Sequence, residues 1–433
     1  MMTAIFKAKC GRICGSCMTL LVKREPIFPT FPDRYCYQGN QGCRNFSTSR
    51  RRPFIMKAWQ LTEYGSNKNF RFTDNAPMPP IIYPNQIVVQ VCAASVNPLD
   101  VMMREGYGAS ILNRQRDPTG VLPFMEPNVN ELPLVLGRDC SGIVMETGLN
   151  VKEYKPGEEV WVAVNPYKMG THAEFVLVTN SEISHKPKSL THVQAASIPY
   201  SGLTAWASLV TQGGLNEKTA KGKRVLVLGG SGGVGTFAVQ LLKAWDAHVT
   251  TTCSRDAIPM MTSLGADDII NYQAQDVKEQ LKRVDKFDLI LDGIGGDTEK
   301  YLFSTDYLKP WAGAKYVTLR TPLLKNADSL GLTDGLLKSG MSLAGNAVKG
   351  LASGIHYRWG FFTPDGMALD KMASLVDRGK IRPVIDRVFT FDQLPAAYEK
   401  VEQGHARGKT VISIAEKRTE IDDSSSFTSI IHA

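Results

Sequence analysis

The sequence predicts an α/β protein with two domains, a β-rich module and a doubly wound parallel sheet. The chain has 433 residues, of which 43% are apolar and 21% charged, which is typical of a soluble globular protein. Short β-like runs bounded by turn residues fill residues 56–190, and after Leu190 strands alternate with helices. Alternation at this spacing is typical of a parallel sheet covered by helices.

The β-rich module is predicted from five runs that alternate apolar and polar residues or are rich in β-branched residues. They are KAWQLTEYG, NQIVVQVCAASV, CSGIVMETG, EEVWVAV and HAEFVLV. An apolar helix, THVQAASIPYSGLTAWASLV, then leads to RVLVLGG, HVTTTCS, DIINY, FDLILDG and AKYVTL, each followed by helical or turn residues. Helical spacing predicts an insertion at about 324–356, KTVISI is a last strand, and the polar tail 417–433 is predicted to be disordered.

Residues 1–55 form a segment of their own. They hold ten Lys and Arg against Glu25 and Asp33, a surplus that equals the +8 net charge of the whole chain. A leader that is rich in Arg and Ser and poor in acid is typical of a mitochondrial transit peptide, so we expect cleavage between about Arg44 and Arg52 and a mitochondrial, matrix location. Because the remaining chain is neutral, no nucleic-acid partner is predicted.

The most specific motif is the glycine-rich turn after the strand RVLVLGG. Gly229, Gly232 and Gly235 have GxxGxxG spacing, and a helix is predicted to begin near Val234. Glycines allow a tight turn and bring backbone N–H groups and a helix N-terminus close to a pyrophosphate. Strand, turn, helix and second strand in this order predict dinucleotide binding; the alternative is a glycine-rich turn in an unrelated α/β unit.

The end of the second strand indicates which dinucleotide is bound. Cys253, Ser254 and Arg255 stand where NAD-selective folds have a carboxylate for the ribose hydroxyl groups. A hydroxyl and a guanidinium bind a 2′-phosphate, which a carboxylate would repel, so NADPH is favoured and NADH is expected to bind more weakly. Tyr272 can flank the adenosine, and the alternative for Arg255 is a solvated surface charge.

The order of these motifs, together with LGADDIINY, FDLILDGIGG and GKTVI, resembles medium-chain dehydrogenases/reductases of the quinone oxidoreductase branch. The resemblance spans about residues 57–415. It implies a GroES-like catalytic domain made from 56–191 and 361–416, and a Rossmann-type cofactor domain, 192–360, inserted between them. The active site is then expected in the cleft between the two domains.

The same resemblance implies hydride transfer from NADPH to a quinone or an enone, with a role in ubiquinone metabolism. It also implies a reticulon-family membrane protein as partner, some association with the outer membrane, and a homodimer as one open assembly. An alternative to catalysis stays open, in which the chain is a scaffold that keeps NADPH as a structural ligand.

Site residues are carried over by motif. The pyrophosphate is expected at Ser231, Gly232, Gly233 and Val234, and the adenosine 2′-phosphate at Ser254, Arg255 and Tyr272. Leu319 is expected to line the cofactor site. The nicotinamide half is expected to meet Phe361, Phe362, His405, Ala406 and Arg407.

Zinc is not expected. Zinc-dependent relatives carry a Gly-His-Glu ligand motif and a four-cysteine loop, whereas this chain reads Gly137-Arg138-Asp139 and has only Cys92, Cys140 and Cys253 after its leader. Zinc needs a tight set of N or S ligands, which these residues do not provide. Asp139 is a candidate to orient the nicotinamide, or else a buried acid paired with Arg138 or a backbone amide.

Two further candidates for the cleft follow the strand NQIVVQVCAASV. Asn97 and Tyr107 are hypothesised to donate hydrogen bonds to the substrate oxyanion. The alternative is a helix start, with Asn97 as the N-cap, Pro98 in the first turn and Asp100 near the helix dipole. The two roles are compatible.

Overall fold

The computed structural model describes residues 54–116, 131–274 and 276–414. The predicted tail and residues 1–53 of the predicted leader lie outside the described residues, so those predictions remain predictions. The first strand already begins at Ile55, which pairs with Pro77, so the folded chain starts one residue inside the predicted leader.

The strands fall into three groups along the chain. The first group is β1 (Ile55–Leu61), β2 (Phe70–Pro77), β3 (Gln86–Val96), β4 (Asp139–Thr147), β5 (Glu159–Ala163), β6 (Phe175–Thr179) and β7 (Ile183–His185). The second is β8 (Arg224–Leu228), β9 (His248–Cys253), β10 (Asp268–Asn271), β11 (Leu289–Asp292), β12 (Lys315–Thr318) and β13 (His356–Trp359). The chain ends its fold with β14 (Ile385–Thr390) and β15 (Lys409–Ser413).

The α-helices lie between and after these strands. They are α1 (Pro98–Arg104), α2 (Ala109–Arg116), α3 (His192–Ala195), α4 (Pro199–Trp206), α5 (Gly233–Ala244), α6 (Ile258–Ser263), α7 (Val277–Lys282), α8 (Asp297–Leu302), α9 (Leu323–Leu330), α10 (Leu332–Ala352), α11 (Gly366–Asp377) and α12 (Leu394–Glu402). Single 3₁₀ turns occur at Asn67–Asn69, Asn180–Glu182, Arg255–Ala257 and Phe391–Gln393.

The apolar helix predicted from Thr191 onward is two helices. Pro199 has no N–H to donate to the preceding turn, so α3 ends before it and α4 begins with this proline in its first turn. A π-helical stretch, Ala207–Gln212, then continues α4. The sequence showed the helical spacing but not this break.

The β-rich part forms a mostly antiparallel sheet in the order β14-β15-β3-β4-β5-β7, with β6 also paired to β3. The C-terminal strand β15 pairs with β3, Thr410 opposite Val96. Strands from the N-terminal part and from the C-terminal end of the described chain therefore lie in one sheet, while β1 and β2 pair in a separate two-stranded sheet.

The second sheet is parallel, in the order β10-β9-β8-β11-β12-β13. Its strands are buried on both faces, as in β8, where Val225 to Leu228 are all buried, and this explains their continuous apolar runs. The strand order reverses between β8 and β11, and in doubly wound sheets ligands bind at such a switch point, beyond the carboxyl ends of the strands.

One apolar core joins the two sheets. Trp161 of β5 packs in the same cluster as Leu203 of α4, Leu241 of α5 and Met372 of α11. The described ranges contain no helix with the combination of length and apolar character needed to cross a bilayer.

Candidate active site

The turn after β8 has space only for glycine at several positions. Gly229 has a positive φ of 72°. A Cβ at Gly235 would lie 2.3 Å from the carbonyl oxygen of Gly229, and one at Gly230 would lie 2.0 Å from Oγ1 of Thr251. These glycines therefore let α5 pack directly against the end of β8.

The start of α5 fits a pyrophosphate. The helix begins at Gly233, and its N-cap Gly232 has no side chain to accept from the N–H groups of the first turn. Such N–H groups lack partners within the helix and attract anions. Ser231, Gly232, Gly233 and Val234 are all only partly buried, so a ligand can reach them.

Predicted residues from several strands meet at one edge of the parallel sheet. Ser254 and Arg255 follow β9, Tyr272 follows β10, Leu319 follows β12, and Phe361 and Phe362 follow β13. Parallel strands present their carboxyl ends on the same edge. Leu319 lies close to the end of β13, since a Cβ at Gly360 would be 2.9 Å from its Cδ2.

An acid that the sequence analysis did not single out lies at the end of β9. Ser254 Oγ donates to Asp256 Oδ1 at 2.5 Å, and the guanidinium of Arg407 forms an ion pair with the same carboxylate. Arg255 is exposed, and its backbone N–H donates to Oε1 of Gln273 at 3.2 Å. With two arginines and one carboxylate, this corner carries a net positive charge.

Arg407 is placed by its ion pair with Asp256, which follows β9 beside the predicted adenosine end. Its expected contact with the nicotinamide half stays a prediction. The loop that carries it lies against the glycine-rich turn, because the Gly408 N–H donates to the Ser231 carbonyl at 2.9 Å. His405 is exposed, with a positive φ of 54°, and Ala406 is partly buried in the same loop.

Lys409 is the main residue that sequence reasoning missed. It is only 6% exposed, although lysine is almost never fully buried without a partner. Its Nζ donates to Oδ1 of Asn97, and a Cβ at Gly233 would lie 2.7 Å from its Cδ. Burial lowers the pKa of Lys409, an effect that Asp139 and Asp100 oppose. The lysine thus connects the glycine-rich turn to a buried polar network.

Asp139 is the acceptor at the centre of that network. Its Oδ1 accepts from Ser95 Oγ at 2.5 Å and from Asn97 Nδ2 at 2.8 Å, and its Oδ2 accepts from the Tyr200 N–H at 3.0 Å. Asp139 is fully buried, so these three bonds offset part of the cost of removing a carboxylate from water. It pairs with a backbone amide, as one of its two readings expected, but not with Arg138.

Asn97 has the helix-start role considered for it, and its side chain belongs to the buried network. Its N–H donates to Asp100 Oδ2 at 2.9 Å, which completes the start of α1. Its side-chain amide is engaged at both ends, by Asp139 and Lys409. Direct donation from Asn97 to a substrate is therefore not the role this arrangement favours. We assign it instead to positioning Asp139 and Lys409.

Tyr107 differs from Asn97 because its hydroxyl is not committed to any described residue. The residue is half-buried, and burial together with Asp328 raises the pKa of its phenol, while Arg320 opposes the shift. The phenol therefore stays protonated and can donate. Tyr200, a second phenol near it, stacks on Phe362 with ring centroids 4.4 Å apart. Burial, followed by Asp100 and Asp139, raises the pKa of Tyr200.

Arg138 is a structural cation in this site. It is fully buried, and its Nη1 donates to the carbonyl oxygens of Asn165 at 2.9 Å and Lys168 at 3.1 Å. Its Nε lies 3.5 Å from Asp100 Oδ1. Burial lowers the pKa of Arg138, and Asp100 opposes this. Within the described residues, no three His, Cys, Asp or Glu side chains cluster closely enough to hold a metal.

His172 packs beside the polar network and is assigned no chemical role. Burial lowers the pKa of its imidazole to about 3, so the ring is neutral. It contacts the Ser95 carbonyl at 3.3 Å and the Tyr398 hydroxyl at 3.2 Å. His172 is therefore a core histidine whose two ring nitrogens both have partners.

Comparisons with known proteins agree with this architecture. Residues 83–188 match the alcohol dehydrogenase GroES-like domain, and residues 264–412 match a family described as zinc-binding dehydrogenase. The structure of the quinone oxidoreductase from Coxiella burnetii is 28% identical, with a TM-score of 0.67, and the match covers 84% of this chain and all of that one. These matches confirm the predicted fold class, a GroES-like domain with a Rossmann-type sheet.

Two named relatives are more similar to this chain than that structure is. The human protein named NAD(P)H oxidoreductase RTN4IP1, mitochondrial, is 56% identical over 371 residues, which cover 86% of this chain and 92% of the relative. The Caenorhabditis elegans protein named reticulon-4-interacting protein 1, mitochondrial, is 34% identical over 85% of this chain and 97% of its own. The chain therefore belongs to the medium-chain dehydrogenase/reductase superfamily and, within it, to the NAD(P)H oxidoreductase RTN4IP1 family.

Proposed function

We propose that the chain is a zinc-independent, NADPH-dependent oxidoreductase that transfers a hydride to a quinone. The observation that carries the proposal is Lys409, which contacts Gly233 of the glycine-rich turn and also Asn97 of the polar network. The dinucleotide turn and the network of Asp139 therefore belong to one site. Bound NADPH supplies the hydride there.

The residues of the chain have distinct parts in this proposal. The N–H groups at the start of α5 hold the pyrophosphate. Asn97 positions Asp139 and Lys409, which form the buried polar surface beneath the cofactor. Tyr107 donates a hydrogen bond to the oxygen that becomes negative as hydride arrives, and Tyr200 is a second phenol beside it. A quinone suits such a modest donor set, because its ring delocalises the incoming charge.

Arg138 supports the proposal that the enzyme is zinc-independent. A buried guanidinium stands at the position where zinc-dependent relatives have a ligand, and a cation there disfavours a second one. The guanidinium of Arg138 already donates hydrogen bonds to the carbonyl oxygens of Asn165 and Lys168. It also forms an ion pair with Asp100.

The preference for NADPH is testable at Arg255. Arg255→Ala is expected to weaken NADPH binding by about 1.5–3 kcal/mol, roughly 10- to 150-fold, and to leave NADH almost unchanged, because only NADPH has the 2′-phosphate. Fluorescence titration of both cofactors measures this. Arg378→Ala, another exposed arginine at the end of α11, is the control and should change neither. Equal losses for both cofactors would remove Arg255 from the phosphate site.

The reaction itself is testable with three classes of acceptor. Chelator-treated protein is mixed with stoichiometric NADPH and a short-chain quinone, an enone or a simple aldehyde, and the nicotinamide absorbance is followed. We expect oxidation in the order quinone, enone, aldehyde, because an aldehyde forms a localised oxyanion that needs a metal or more donors. Activity that disappears on chelation and returns with zinc would contradict the metal-free assignment.

A second candidate function is partner binding with little turnover. The name of the worm relative supports it, since it refers to interaction with a reticulon. In that case NADPH would bind and its absorbance would persist with all three acceptors. Both candidates are compatible with a mitochondrial location, which the relatives' names and the Arg-rich leader support, and with the outer membrane as well as the matrix.

A further inference from the structure

Helix α10 carries apolar side chains on the side that faces away from the protein. Leu337, Met341, Val348 and Leu351 are 63%, 67%, 67% and 59% exposed. With Ala344 they follow a spacing of four and three residues, which places them on one stripe of the helix. We call these five residues the α10 stripe.

The opposite face of α10 is already packed. Gly335, Ser339 and Gly350 are buried, and a Cβ at Gly350 would lie 2.9 Å from the ring of Phe303. The stripe is therefore not the face that attaches the helix to its domain. An apolar stripe on the exposed side of a helix whose other side is already packed is expected to be covered by something else.

An exposed tryptophan lies next to the loop that follows the end of the helix. Trp311 is 78% exposed, and its N–H donates at 2.8 Å to the carbonyl of Gly354, two residues past the end of α10. The backbone at Trp311 has a positive φ of 58°, an uncommon conformation for a bulky residue. Tryptophan side chains are favoured at the boundary between lipid and water, where the ring is both apolar and a donor.

The charges beside the stripe suit an anionic surface. Lys338 and Lys349 lie on the same flank of α10, eleven residues or three helical turns apart, and the Lys349 ammonium also lies 5.8 Å from the centre of the Phe303 ring. Long lysine side chains can keep their methylenes in an apolar layer while the ammonium reaches lipid headgroups. The acid of this helix, Asp334, is in the first turn, where it complements the helix dipole.

The size of the stripe argues against a second copy of the chain as its cover. From Leu337 to Leu351 the stripe is about 21 Å long at about 1.5 Å per residue. One helix pair of that length buries less than the roughly 1,200–2,000 Å² of a stable specific interface. A bilayer has no such minimum, because each apolar side chain inserts independently.

We propose that the α10 stripe and Trp311 form a peripheral docking surface for an anionic phospholipid bilayer, with α10 lying in the plane of the membrane. The surface is joined to the candidate active site through α9. Asp328 accepts from the N–H groups of Gly108 at 2.6 Å and Ser110 at 3.1 Å, directly after Tyr107. If the proposed function holds, and only then, docking also brings the quinone entrance close to the bilayer.

The test is flotation of the full chain with vesicles of phosphatidylcholine and phosphatidylglycerol in a four-to-one ratio. The unaltered protein should float with these vesicles and bind pure phosphatidylcholine about 30-fold more weakly, for two lysines. Met341→Ser with Val348→Ser should weaken binding to the mixed vesicles at least about tenfold. Leu149→Ser, at an 86% exposed leucine outside α10, should leave binding unchanged.

Two further readouts separate docking from its alternatives. Vesicles should shift the tryptophan emission to shorter wavelength, and Trp311→Phe should remove most of that shift. Failure to float, or a Met341→Ser, Val348→Ser protein that floats like its parent, would overturn the proposal. So would a concentration-dependent dimer that this double variant abolishes. Turnover of a water-soluble quinone should be equal in all variants, so a missing reaction would contradict the proposed function and not the docking.

Discussion

The Tyr107→Phe protein is expected to reduce a short-chain quinone about 30- to 800-fold more slowly than the unaltered chain, while binding NADPH equally well. The change removes only a hydroxyl that no described residue holds, so the fold should be unaffected. A preorganised donor to a developing oxyanion contributes about 2–4 kcal/mol to the barrier, which corresponds to this range of rates. Stopped-flow oxidation of NADPH measures the step, and a cofactor titration measures binding.

The matched control for this variant is Tyr301→Phe. Tyr301 is a partly buried tyrosine on α8, at the cofactor domain, and contacts Lys278 through its ring, 4.5 Å from the lysine Nζ. Its loss should not change the rate. If Tyr107→Phe reacts as fast as the parent and Tyr200→Phe does not, the donor is Tyr200, whose ring already stacks on Phe362.

Asp139→Leu is expected to have the largest effect on stability, lowering the free energy of unfolding by about 3–5 kcal/mol. Removal of one member of a buried charged network leaves its partners desolvated and unpaired. Here the partners are the hydroxyl of Ser95, the amide of Asn97 and, through Asn97, the ammonium of Lys409. Urea unfolding followed by circular dichroism measures the change.

A double-mutant cycle with Lys409→Met provides the control. If Asp139 and Lys409 are coupled, the double variant should be less destabilised than the sum of the single ones, because no lone charge remains. Additive losses would show that the two act separately.

The pH dependence of stability is a second check on Lys409. Burial lowers the pKa of Lys409 in the folded protein, so between that pKa and 10.5 the unfolded chain binds more protons than the folded one. The unaltered protein should therefore gain stability as pH rises through this window, and Lys409→Met should lose that gain.

The parts of the site that are local in sequence were predictable. Strand, glycine-rich turn and helix follow one another within a few residues, so the periodicity located the turn at Gly229 and the helix start within one residue of Gly233. Asn97 and Asp100 were identified as a helix start for the same reason. In each case the chemistry depends on neighbours three or four positions away, which the sequence shows directly.

The parts that depend on distant contacts were not predictable. Lys409 lies 312 positions from Asn97, and nothing in an apolar strand with one lysine at its first position distinguishes a buried ammonium from an exposed edge charge. Tyr200 and Asp256 were missed likewise, because their partners, Asp139 and Arg407, come from other elements. One signal in the sequence could have pointed to Lys409, namely its position directly after Gly408 in the GHARGK motif.

The pairing of β15 with β3 also has a consequence for how the protein is made. β3 and β4 come early in the chain, but β15, which lies between β14 and β3, is the last strand of the described residues. Until then one edge of β3 lacks its permanent neighbour, and such edges favour aggregation. The parallel sheet of β8 to β13 closes from contiguous sequence and has no such delay. A chain that lacks β15 therefore holds a half-finished sheet, together with an incomplete candidate site, until that strand is in place.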